Sequence, residues 1–537
     1  MSRIPRAAAS SVVTGAITGI AVRPVHFASA TRMRAESLGP HRSVALACAL
    51  TFGFHLLFLS RELVADEGGF VMVARAARAG GPYLYGRQWV DRPPGLMVVF
   101  DLAQRLGPFG VRLTAGLCAT VLVAASAWAV SVVAGKHAAS WAAWVTFALG
   151  TSPLLQAYQL NGEIIATPLV LVAVAAACQA LYQSPALRYV ALLGVLSGAS
   201  AASAVLVKQN FVDGLAFVGV FFLGAWVLRR FPRKRVLVAS VTFLAGCSGP
   251  LLWTTHWASR HGGVSALAFA MFRFRAKAGE VIAYGPLDAP VNRLVDMVLL
   301  SLGTGMTLLA MHVLVSQRRA LLARSPLVWA VTVTVGVELF GVALGASYWP
   351  HYLIGLVPML VFATGIACRP RAGSRTATRW LVVAVVALTV LTVPGSAVGV
   401  HEHRSRPYLV ARWLASSATR GDTVVVAFSH ANVIQASGLS SPYPYSWSLP
   451  LRTLDPDLEL LTHTLDDGRI APTWVVRWNQ PHAWELDPHN TIAHTLEAHY
   501  RRVAVVCGHA VWLHRGIERT IGSPPPGCGR SDAVARG

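Results

Sequence analysis

The sequence predicts an α-helical polytopic membrane protein with a small C-terminal α/β domain, and three observations support this fold class. Charged residues make up 13% of the 537 residues, against about 25% in a soluble domain. Apolar runs of about 17–23 residues recur, long enough to cross a hydrocarbon core about 30 Å thick. The last part of the chain instead alternates short apolar runs with turn residues, as strands do. The mean hydropathy of +0.52 also indicates lipid as the main solvent.

The chain begins with an Arg- and Ala-rich segment, residues 1–42, which we expect to be a disordered cytoplasmic extension. The apolar runs that follow predict about eleven membrane spans in a transmembrane module over residues 43–399. These spans are 43–60, 110–134, 138–158, 163–182, 187–207, 210–228, 235–255, 293–315, 326–346, 352–368 and 380–398.

Basic residues in the short loops predict the orientation of the spans. Clusters at 229–235, 317–324 and 368–379 fall on the same side as the basic N-terminal segment, and short loops rich in Lys and Arg stay cytoplasmic. This orientation places three regions outside the cytoplasm: the long loop 61–109, the loop 256–292, and everything after about residue 399. The sequence therefore predicts a multi-pass cell-membrane protein with an extracytoplasmic C-terminal domain.

One outer loop departs from this charge rule. The loop 256–292 carries four cations, Arg260, Arg273, Arg275 and Lys277. Either the number of spans is off by one, or these cations bind an anionic lipid at the outer face. We interpret Arg273 and Arg275 as candidates for such a site, and generic contact with outer-leaflet phosphates explains them equally well.

The C-terminal part changes character at about residue 400. Short β-like runs at 421–428, 473–478 and 501–515 alternate with helical stretches near 405–418 and 490–500, a pattern typical of an α/β domain. We assign this domain to residues 400–520 and expect a disordered tail at 521–537. Cys507 and Cys528 could form a disulfide outside the cytoplasm, but we favour unpaired thiols.

The formal charge of +22 does not indicate a nucleic-acid-binding protein. Such proteins gather their cations on one face, whereas here the basic residues are dispersed between apolar runs. We therefore expect a lipid bilayer, and not nucleic acid, as the partner of this charge.

The most informative stretch is "LVADEGGFVMVARAARAGGPYLYGRQWVDRPPGL", residues 63–96. It opens with the carboxylates Asp66 and Glu67 at the outer end of the first span. Apolar residues at helical spacing then predict a short amphipathic helix along the membrane interface. The pair Pro93–Pro94 suits the first turn of a second interfacial helix.

The order of these features resembles the membrane-bound GT-C glycosyltransferases of the protein O-mannosyltransferase and lipid A aminoarabinose transferase type. The resemblance lies in "DE" at the end of the first helix, then "PY", then "DRPP". It covers most of residues 43–400, with weaker echoes at "NGE" (161–163), "KQN" (208–210) and "YWPHYLIGLVP" (348–358). It implies inverting transfer of a sugar from a polyprenyl monophosphate to an acceptor hydroxyl on a cell-envelope glycan, lipid or protein.

The resemblance also implies roles for individual residues. Asp66 would be the base that takes the acceptor proton, and Arg92 would hold the donor phosphate, at a position where family members often have Lys. The alternatives are an ordinary interfacial carboxylate for Asp66 and a snorkelling cation for Arg92. We expect Glu67 to orient the loop or to pair with an Arg. We expect Asp91 to orient Arg92 or to cap the following helix.

Four further ionisable residues lie in or at the ends of predicted spans. Glu163 and His351 could face the same cleft as Asp66, since ionisable groups near a span usually face an interior or a wet cavity. Lys208 could do so too, or could anchor lipid headgroups. Glu338 lies within a span, where burial of a charge is costly, and must have a partner that the sequence does not identify.

Two other functions compete with the glycosyltransferase interpretation: a transporter or lipid flippase, and a non-catalytic protein that binds lipid-linked glycans. Transporters commonly show internal repeats and helices interrupted near the midplane. We find no convincing repeat, and the charges concentrate at the outer ends of the spans. A divalent cation near Asp66 is chemically reasonable, but no cluster of ligands requires one.

Overall fold

The computed structural model of the protein describes residues 39–184, 186–369, 373, 375–402, 404–479, 486–525 and 528. Nearly all of the predicted N-terminal extension, and most of the predicted disordered tail, lie outside the described residues. Residues from Pro40 onward form one unit by their contacts.

The membrane part consists of helices that follow the apolar runs. In chain order they are α1 (Pro40–Leu56), α2 (Ala65–Ala79), α3 (Pro94–Ala103), α4 (Gly107–Ala134), α5 (Lys136–Thr151), α6 (Gly162–Tyr182), α7 (Leu187–Val207), α8 (Asp213–Val227), α9 (Arg233–Ser259), α10 (Val264–Ala268), α11 (Phe274–Ala283), α12 (Asp288–Gly303), α13 (Met306–Ser316), α14 (Arg318–Leu321), α15 (Pro326–Gly345), α16 (Leu353–Ala367) and α17 (Arg375–Glu402). Single 3₁₀ turns lie at Gln104–Leu106, Pro153–Leu155 and Pro350–Tyr352, and a π-turn lies at Phe269–Arg273.

Each predicted span coincides with a helix or a helix pair, and the polytopic helical fold is confirmed. Among the described residues, seven helices are long and apolar enough to cross a membrane, or eight if the bent pair α12 and α13 is one span. The predicted count of about eleven includes three shorter helices, α1, α5 and α8, of 17, 16 and 15 residues.

Burial divides the membrane helices into central and peripheral ones. In the most apolar window of α6, 83% of the residues are buried inside the protein, against 17% in α15 and 28% in α9 and α17. A helix that is apolar all round can be buried in protein or face lipid. The low protein burial of α9, α15 and α17 identifies them as helices with large lipid-facing surfaces.

The long loop after α1 forms two helices, as the sequence predicts. The first, α2, begins at Ala65 and carries Asp66 and Glu67 in its first turn. The second, α3, begins at Pro94, with Pro93 at its N-cap. Between them the chain makes a tight turn, in which Tyr83 and Gly86 exchange backbone hydrogen bonds of 2.9 and 3.1 Å.

The C-terminal domain is built on a four-stranded mixed sheet. Its elements are α18 (Arg406–Ser417), β1 (Val424–Ala427), α19 (Ala431–Ser437), α20 (Ser448–Leu454), α21 (Glu459–Asp466), β2 (Trp474–Arg477), α22 (Thr491–His499), β3 (Tyr500–Val506) and β4 (His509–His514). The strand order is β1-β2-β4-β3, with β1 and β2 parallel and the other pairs antiparallel. The single predicted strand at 501–515 is therefore a hairpin of two strands.

Cys507 and Cys528 form a disulfide bond. The expectation that these thiols remain unpaired is wrong. Cys507 lies between β3 and β4 and is buried, so the bond fixes Cys528 to the end of this hairpin.

Candidate active site

The carboxylate of Asp66 lies where the loop 61–109 meets the C-terminal domain. Asp66 sits in the first turn of α2, where the free backbone N–H groups of a helix favour negative charge. Its Oδ1 accepts a hydrogen bond of 2.8 Å from Trp447 Nε1, in the C-terminal domain. No other hydrogen bond to this carboxylate occurs within the described residues, so its second oxygen is available to a ligand.

Two glycines directly after the carboxylates allow this contact. A Cβ on Gly68 would lie 2.6 Å from the Cα of Asn432, and a Cβ on Gly69 would lie 2.2 Å from Trp447 Cζ2. Such distances are far below ordinary carbon–carbon contact. The sequence "DEGG" therefore combines a carboxylate with a helix surface flat enough for the C-terminal domain to approach it.

Further hydrogen bonds hold the domain on the loop. Gln88 Nε2 donates to the carbonyl of Ser441 at 3.1 Å, and Ser446 Oγ donates to Gln88 Oε1 at 3.2 Å. The N–H of Trp89 donates to the carbonyl of Pro444 at 3.2 Å. The segment that carries Trp447 is thus fixed to the same loop as Asp66.

Glu67 does not share the environment of Asp66. Its side chain is buried and forms an ion pair with Arg112 of α4. It also accepts backbone hydrogen bonds from Leu160 at 2.8 Å and Val64 at 3.1 Å. This matches the expected pairing with an Arg, and it fixes the start of α2 against the membrane helices.

Arg92 lies in a chain of ion pairs. Its Nη1 is 2.8 Å from Asp91 Oδ1, and the other oxygen of Asp91 pairs with Arg275 of the second outer loop. The carbonyl of Arg92 accepts from Tyr85 Oη at 2.7 Å, and that of Asp91 accepts from Gln209 Nε2 at 3.0 Å. The predicted helix-capping role of Asp91 is wrong, because Pro93 occupies the N-cap and the Asp91 side chain is engaged by two guanidinium groups instead.

Neighbouring charges keep Asp91 and Arg92 ionised. Burial would raise the pKa of Asp91, but Arg275 and Arg92 outweigh it and lower the pKa below its ordinary value. Burial likewise opposes the charged form of Arg92, but Asp91 and Asp66 raise its pKa. Both groups are therefore charged at neutral pH.

A second ion pair lies at the ends of α6 and α7. Glu163, in the first turn of α6, pairs with Lys208, the residue that ends α7, and both side chains are buried. His351 Nε2 is 3.8 Å from Glu163 Oε1, and its Nδ1 is 3.2 Å from Gln156 Oε1. The Lys208 ammonium also lies 4.5 Å from the centre of the Tyr352 ring.

These groups lie close enough to Asp66 to interact with it. The charges of Asp66 and Glu163 both act on Arg92, and both act on His351 as well. We call Asp91, Arg92, Glu163, Lys208, Arg275 and His351 the ionic cluster. It holds three cations and two carboxylates. Asp66, which lies beside it, makes three carboxylates, so the positive and negative charges balance.

Arg273 does not belong to the ionic cluster. Its side chain is exposed, at the end of the π-turn, whereas Arg275 pairs with Asp91. Contact of Arg273 with an anionic lipid stays a prediction.

The carboxyl group of Glu338 lies near that of Asp213, in the first turn of α8, and Lys208 and Glu163 are also near enough to act on it. Both oxygens of Asp213 and Oε2 of Glu338 are buried and make no hydrogen bond within the described residues. Glu338 fits against Gly355 of α16, where a Cβ would lie 1.9 Å from Glu338 Oε1.

A metal site is not apparent in the described part of the chain. No group of three or more His, Cys, Asp and Glu comes together there in a way that could hold an ion. Near Asp66, the neighbouring carboxylates Glu67 and Asp91 are engaged by arginines, which leaves one carboxylate where a divalent cation needs several oxygen ligands.

Sequence reasoning missed Trp447 and Arg112. Trp447 lies 381 residues from Asp66, and Arg112 lies 45 residues from Glu67. A tryptophan in a turn-rich segment carries no signal of such a contact. Arg112 could have been found, because a cation at the sixth position of a long apolar helix requires a carboxylate partner.

No protein-family model matches the chain, and no curated protein is significantly similar to it in sequence. Among solved structures, the chain is similar to ArnT from Cupriavidus metallidurans in the apo state, with a TM-score of 0.59 and 15% identity over 88% of this chain and 96% of ArnT. The same protein bound to undecaprenyl phosphate gives a TM-score of 0.58 and 15% identity over 90% of this chain and 98% of ArnT.

The chain is also similar to the archaeal oligosaccharyltransferase AglB from Archaeoglobus fulgidus, in complex with an inhibitory peptide and a dolichol-phosphate. The TM-score is 0.53, with 12% identity over 83% of this chain and 70% of AglB. At these identities the likeness concerns the fold. It confirms the predicted GT-C fold.

Proposed function

We propose that the protein is a membrane glycosyltransferase that moves a sugar from a polyprenyl monophosphate donor to an acceptor hydroxyl, with inversion at the anomeric carbon. Asp66 is the base, and Arg92 holds the donor phosphate. The similar structures carry undecaprenyl phosphate or dolichol-phosphate, which supports a polyprenyl carrier for this chain too. The acceptor is a cell-envelope glycan, lipid or protein.

The observation that carries the proposal is the environment of Asp66. The three buried carboxylates around it, Glu67, Asp91 and Glu163, each form an ion pair with a cation. Asp66 instead receives one hydrogen bond from a neutral indole N–H. Because no cation pairs with Asp66 within the described residues, its second oxygen can contact an acceptor hydroxyl and take its proton.

The ionic cluster supplies the groups that a phosphate needs. Arg92 presents a planar guanidinium with several donors, a geometry that matches phosphate oxygens. Asp91 fixes it on one side, which leaves its other N–H groups for a ligand. At about 4 Å and an effective dielectric near 20, a cation and a phosphate charge attract by roughly 4 kcal/mol before desolvation costs. Arg275 and Lys208 each pair with a carboxylate, Asp91 and Glu163, and so fix the framework around Arg92.

The reaction follows as a single displacement. The acceptor oxygen forms a bond to the anomeric carbon while its proton passes to Asp66. The bond between that carbon and the phosphate oxygen breaks, and its electron pair leaves with the polyprenyl phosphate. Arg92 stabilises the charge that grows on this leaving oxygen, in the way that preorganised cations lower a barrier. Attack opposite to the leaving phosphate inverts the anomeric configuration.

Transfer takes place on the extracytoplasmic face in this proposal. The basic loops predict that the first outer loop and the C-terminal domain lie outside the cytoplasm. The disulfide between Cys507 and Cys528 supports the same side, because disulfides persist in oxidising compartments.

The test is to replace Asp66→Asn and to measure sugar transfer in membranes from a labelled polyprenyl-phosphate sugar. Asp101→Asn is the matched control, because Asp101 lies on α3 and pairs with the exposed Arg78. Loss of transfer with donor binding retained, and normal transfer in the control, would support Asp66 as the base. Sugar transfer by Asp66→Asn at the rate of the unmutated protein would show that Asp66 is not the base. Movement of the intact lipid across the bilayer without sugar transfer would favour a flippase.

A further inference from the structure

A cavity with both polar and apolar lining residues lies beside the segment that leads to Asp66, and the mechanism above does not use it. Its volume is about 420 Å³, within the range of small-molecule sites. One wall is the chain just before α2, including Arg61 and Glu62. The other wall belongs to the C-terminal domain, with Arg404 and Tyr408 near α18 and Asn432 and Gln435 on α19.

Polar groups in this cavity lack partners in the described protein. The Asn432 side chain is 7% exposed, and its amide nitrogen donates to the carbonyl of Leu63 at 3.1 Å, but its Oδ1 accepts no hydrogen bond. The half-buried side chain of Gln435 makes none within the described residues either. Because Asn432 Oδ1 is enclosed by protein, Gln435 is the amide of this pair that a ligand in the cavity can reach, and its free donor and acceptor groups suit a ligand with hydroxyl groups.

The charge of the cavity is positive. Glu62 binds the N–H of Ser405 at 3.1 Å and lies 3.5 Å from Arg404 Nη1, so it is shared with one cation. Arg61 lies over the Tyr158 ring at 4.3 Å and pairs with no carboxylate in the described part of the chain. The cavity is thus lined by two guanidinium groups, of Arg61 and Arg404, and by one carboxylate, of Glu62. The excess of one positive charge attracts an anion.

The ring of Tyr408 completes the site. The Arg404 guanidinium lies 5.3 Å from its centre, a cation–π contact that orients both groups. Aromatic rings and guanidinium groups together offer a flat apolar face and planar donors, which suit a sugar ring that carries a carboxylate or phosphate.

We infer that this cavity binds the acceptor as an anionic saccharide, a sugar chain that carries carboxylate or phosphate groups. The role of the saccharide as acceptor rests on the proposed function, whereas its chemical class rests on the residues that line the cavity. The lining residue Leu63 is followed three positions later by Asp66. A saccharide held here lies next to the helix turn that carries the base.

The experiment measures binding to the full chain in nanodiscs of zwitterionic lipid. The probes are tetragalacturonate, glucose 6-phosphate, and maltotetraose as the uncharged match. We expect at least one charged probe to bind more tightly than maltotetraose and to weaken as salt rises. Which charged probe binds distinguishes a carboxylate from a phosphate ligand. Equal binding of maltotetraose, or no binding of any probe, would overturn the inference.

Variants locate the binding. Arg404→Gln removes a cation whose side chain is 57% exposed, and we expect a roughly fivefold loss of affinity, as for a partly exposed charge pair. Arg412→Gln is the matched control, because Arg412 is exposed on α18 outside the cavity. Gln435→Leu should also weaken binding. If Arg404→Gln and Gln435→Leu both bind like the control, the cavity is not the site.

These outcomes are independent of the proposed reaction. Asp66→Asn should still bind the charged saccharide, because Asp66 does not line the cavity. Binding without sugar transfer in the unmutated protein would refute the glycosyltransferase and leave the saccharide site. Sugar transfer to an acceptor with no effect of Arg404→Gln on its KM would refute the site and leave the enzyme.

Discussion

Gly69→Ala should reduce transfer by displacing the tryptophan that orients Asp66. The new Cβ would lie 2.2 Å from Trp447 Cζ2 and 2.7 Å from Cη2. The ring must therefore move by about 1.2 Å to reach ordinary carbon–carbon contact. A shift of that size breaks the 2.8 Å hydrogen bond between Trp447 Nε1 and Asp66 Oδ1. Misplacing a catalytic group by about 1 Å can reduce a rate roughly a hundredfold.

The effect on stability follows from the same contact. Alanine in a helix is favoured over glycine by about 1 kcal/mol, but overpacking costs about 1–3 kcal/mol, and losing a hydrogen bond to a charged group costs roughly 1.5–3 kcal/mol. We expect a net loss of stability and a kcat about 10- to 100-fold lower, with donor KM unchanged, because the donor contacts lie on other residues.

The assay is transfer from a labelled polyprenyl-phosphate sugar, together with thermal unfolding of the purified chain. Gly53→Ala is the matched control, since a Cβ at Gly53 meets nothing within 4 Å. Trp447→Phe separates the two causes, because it removes the N–H donor and leaves a smaller aromatic ring without adding a Cβ at Gly69. If Gly69→Ala transfers sugar and unfolds like Gly53→Ala, the domain does not orient the base.

Three further predictions test other parts of the site. Arg92→Ala should weaken donor binding by about 10- to 100-fold, and Arg92→Lys should weaken it less. A donor titration measures both, with Arg87→Ala as the control because Arg87 is exposed. Equal losses of affinity in the two Arg92 variants would argue against a phosphate contact. Glu163→Gln or Lys208→Met should each destabilise the protein by about 3–5 kcal/mol, and the double variant by less than their sum, in thermal unfolding. Burial, and to a lesser extent His509, lowers the pKa of His430 from 6.5 to about 4. As the pH drops from 6.5 to 4, the unfolded protein therefore binds a proton at His430 before the folded protein does, and stability should fall. His430→Gln should reduce this dependence of stability on pH.

The membrane helices could be predicted because each follows from local composition. The predicted span 187–207 coincides with α7 (Leu187–Val207), and the predicted span 163–182 differs from α6 (Gly162–Tyr182) by one residue. Lipid imposes the requirement that a spanning segment satisfy its own backbone groups, so an apolar run of that length has one structure available to it. The three short helices α19, α20 and α21 lack such a constraint and were not predicted.

The contacts of the site could be predicted only in part. Asp66, Asp91 and Arg92 lie in one short stretch of sequence. In the structure Asp91 pairs with Arg92, and the charge of Asp66 acts on Arg92. The pairing of Glu163 with Lys208 depends on the crossing of α6 and α7, and that of Asp91 with Arg275 depends on how two outer loops meet. Side-chain spacing along one helix does not determine packing between helices, which is why Lys208 is equally consistent with a lipid anchor at the level of sequence.

The ionisable groups around the site fall into two kinds: carboxylates that pair with a cation, and Asp66, the proposed base, which does not. Isolated charges so deeply buried would be costly, and ion pairs reduce that cost when hydrogen bonds complete them. Glu67 meets Arg112, Glu163 meets Lys208, and Asp91 lies between two guanidinium groups. These pairs hold the ends of helices and loops in fixed positions, which a loop-built site needs because loops alone are mobile. Asp66 stands apart from this neutralisation, held by the indole of a separate domain. The ion pairs keep the framework of the site charged and rigid, while Asp66 makes no ion pair within the described residues.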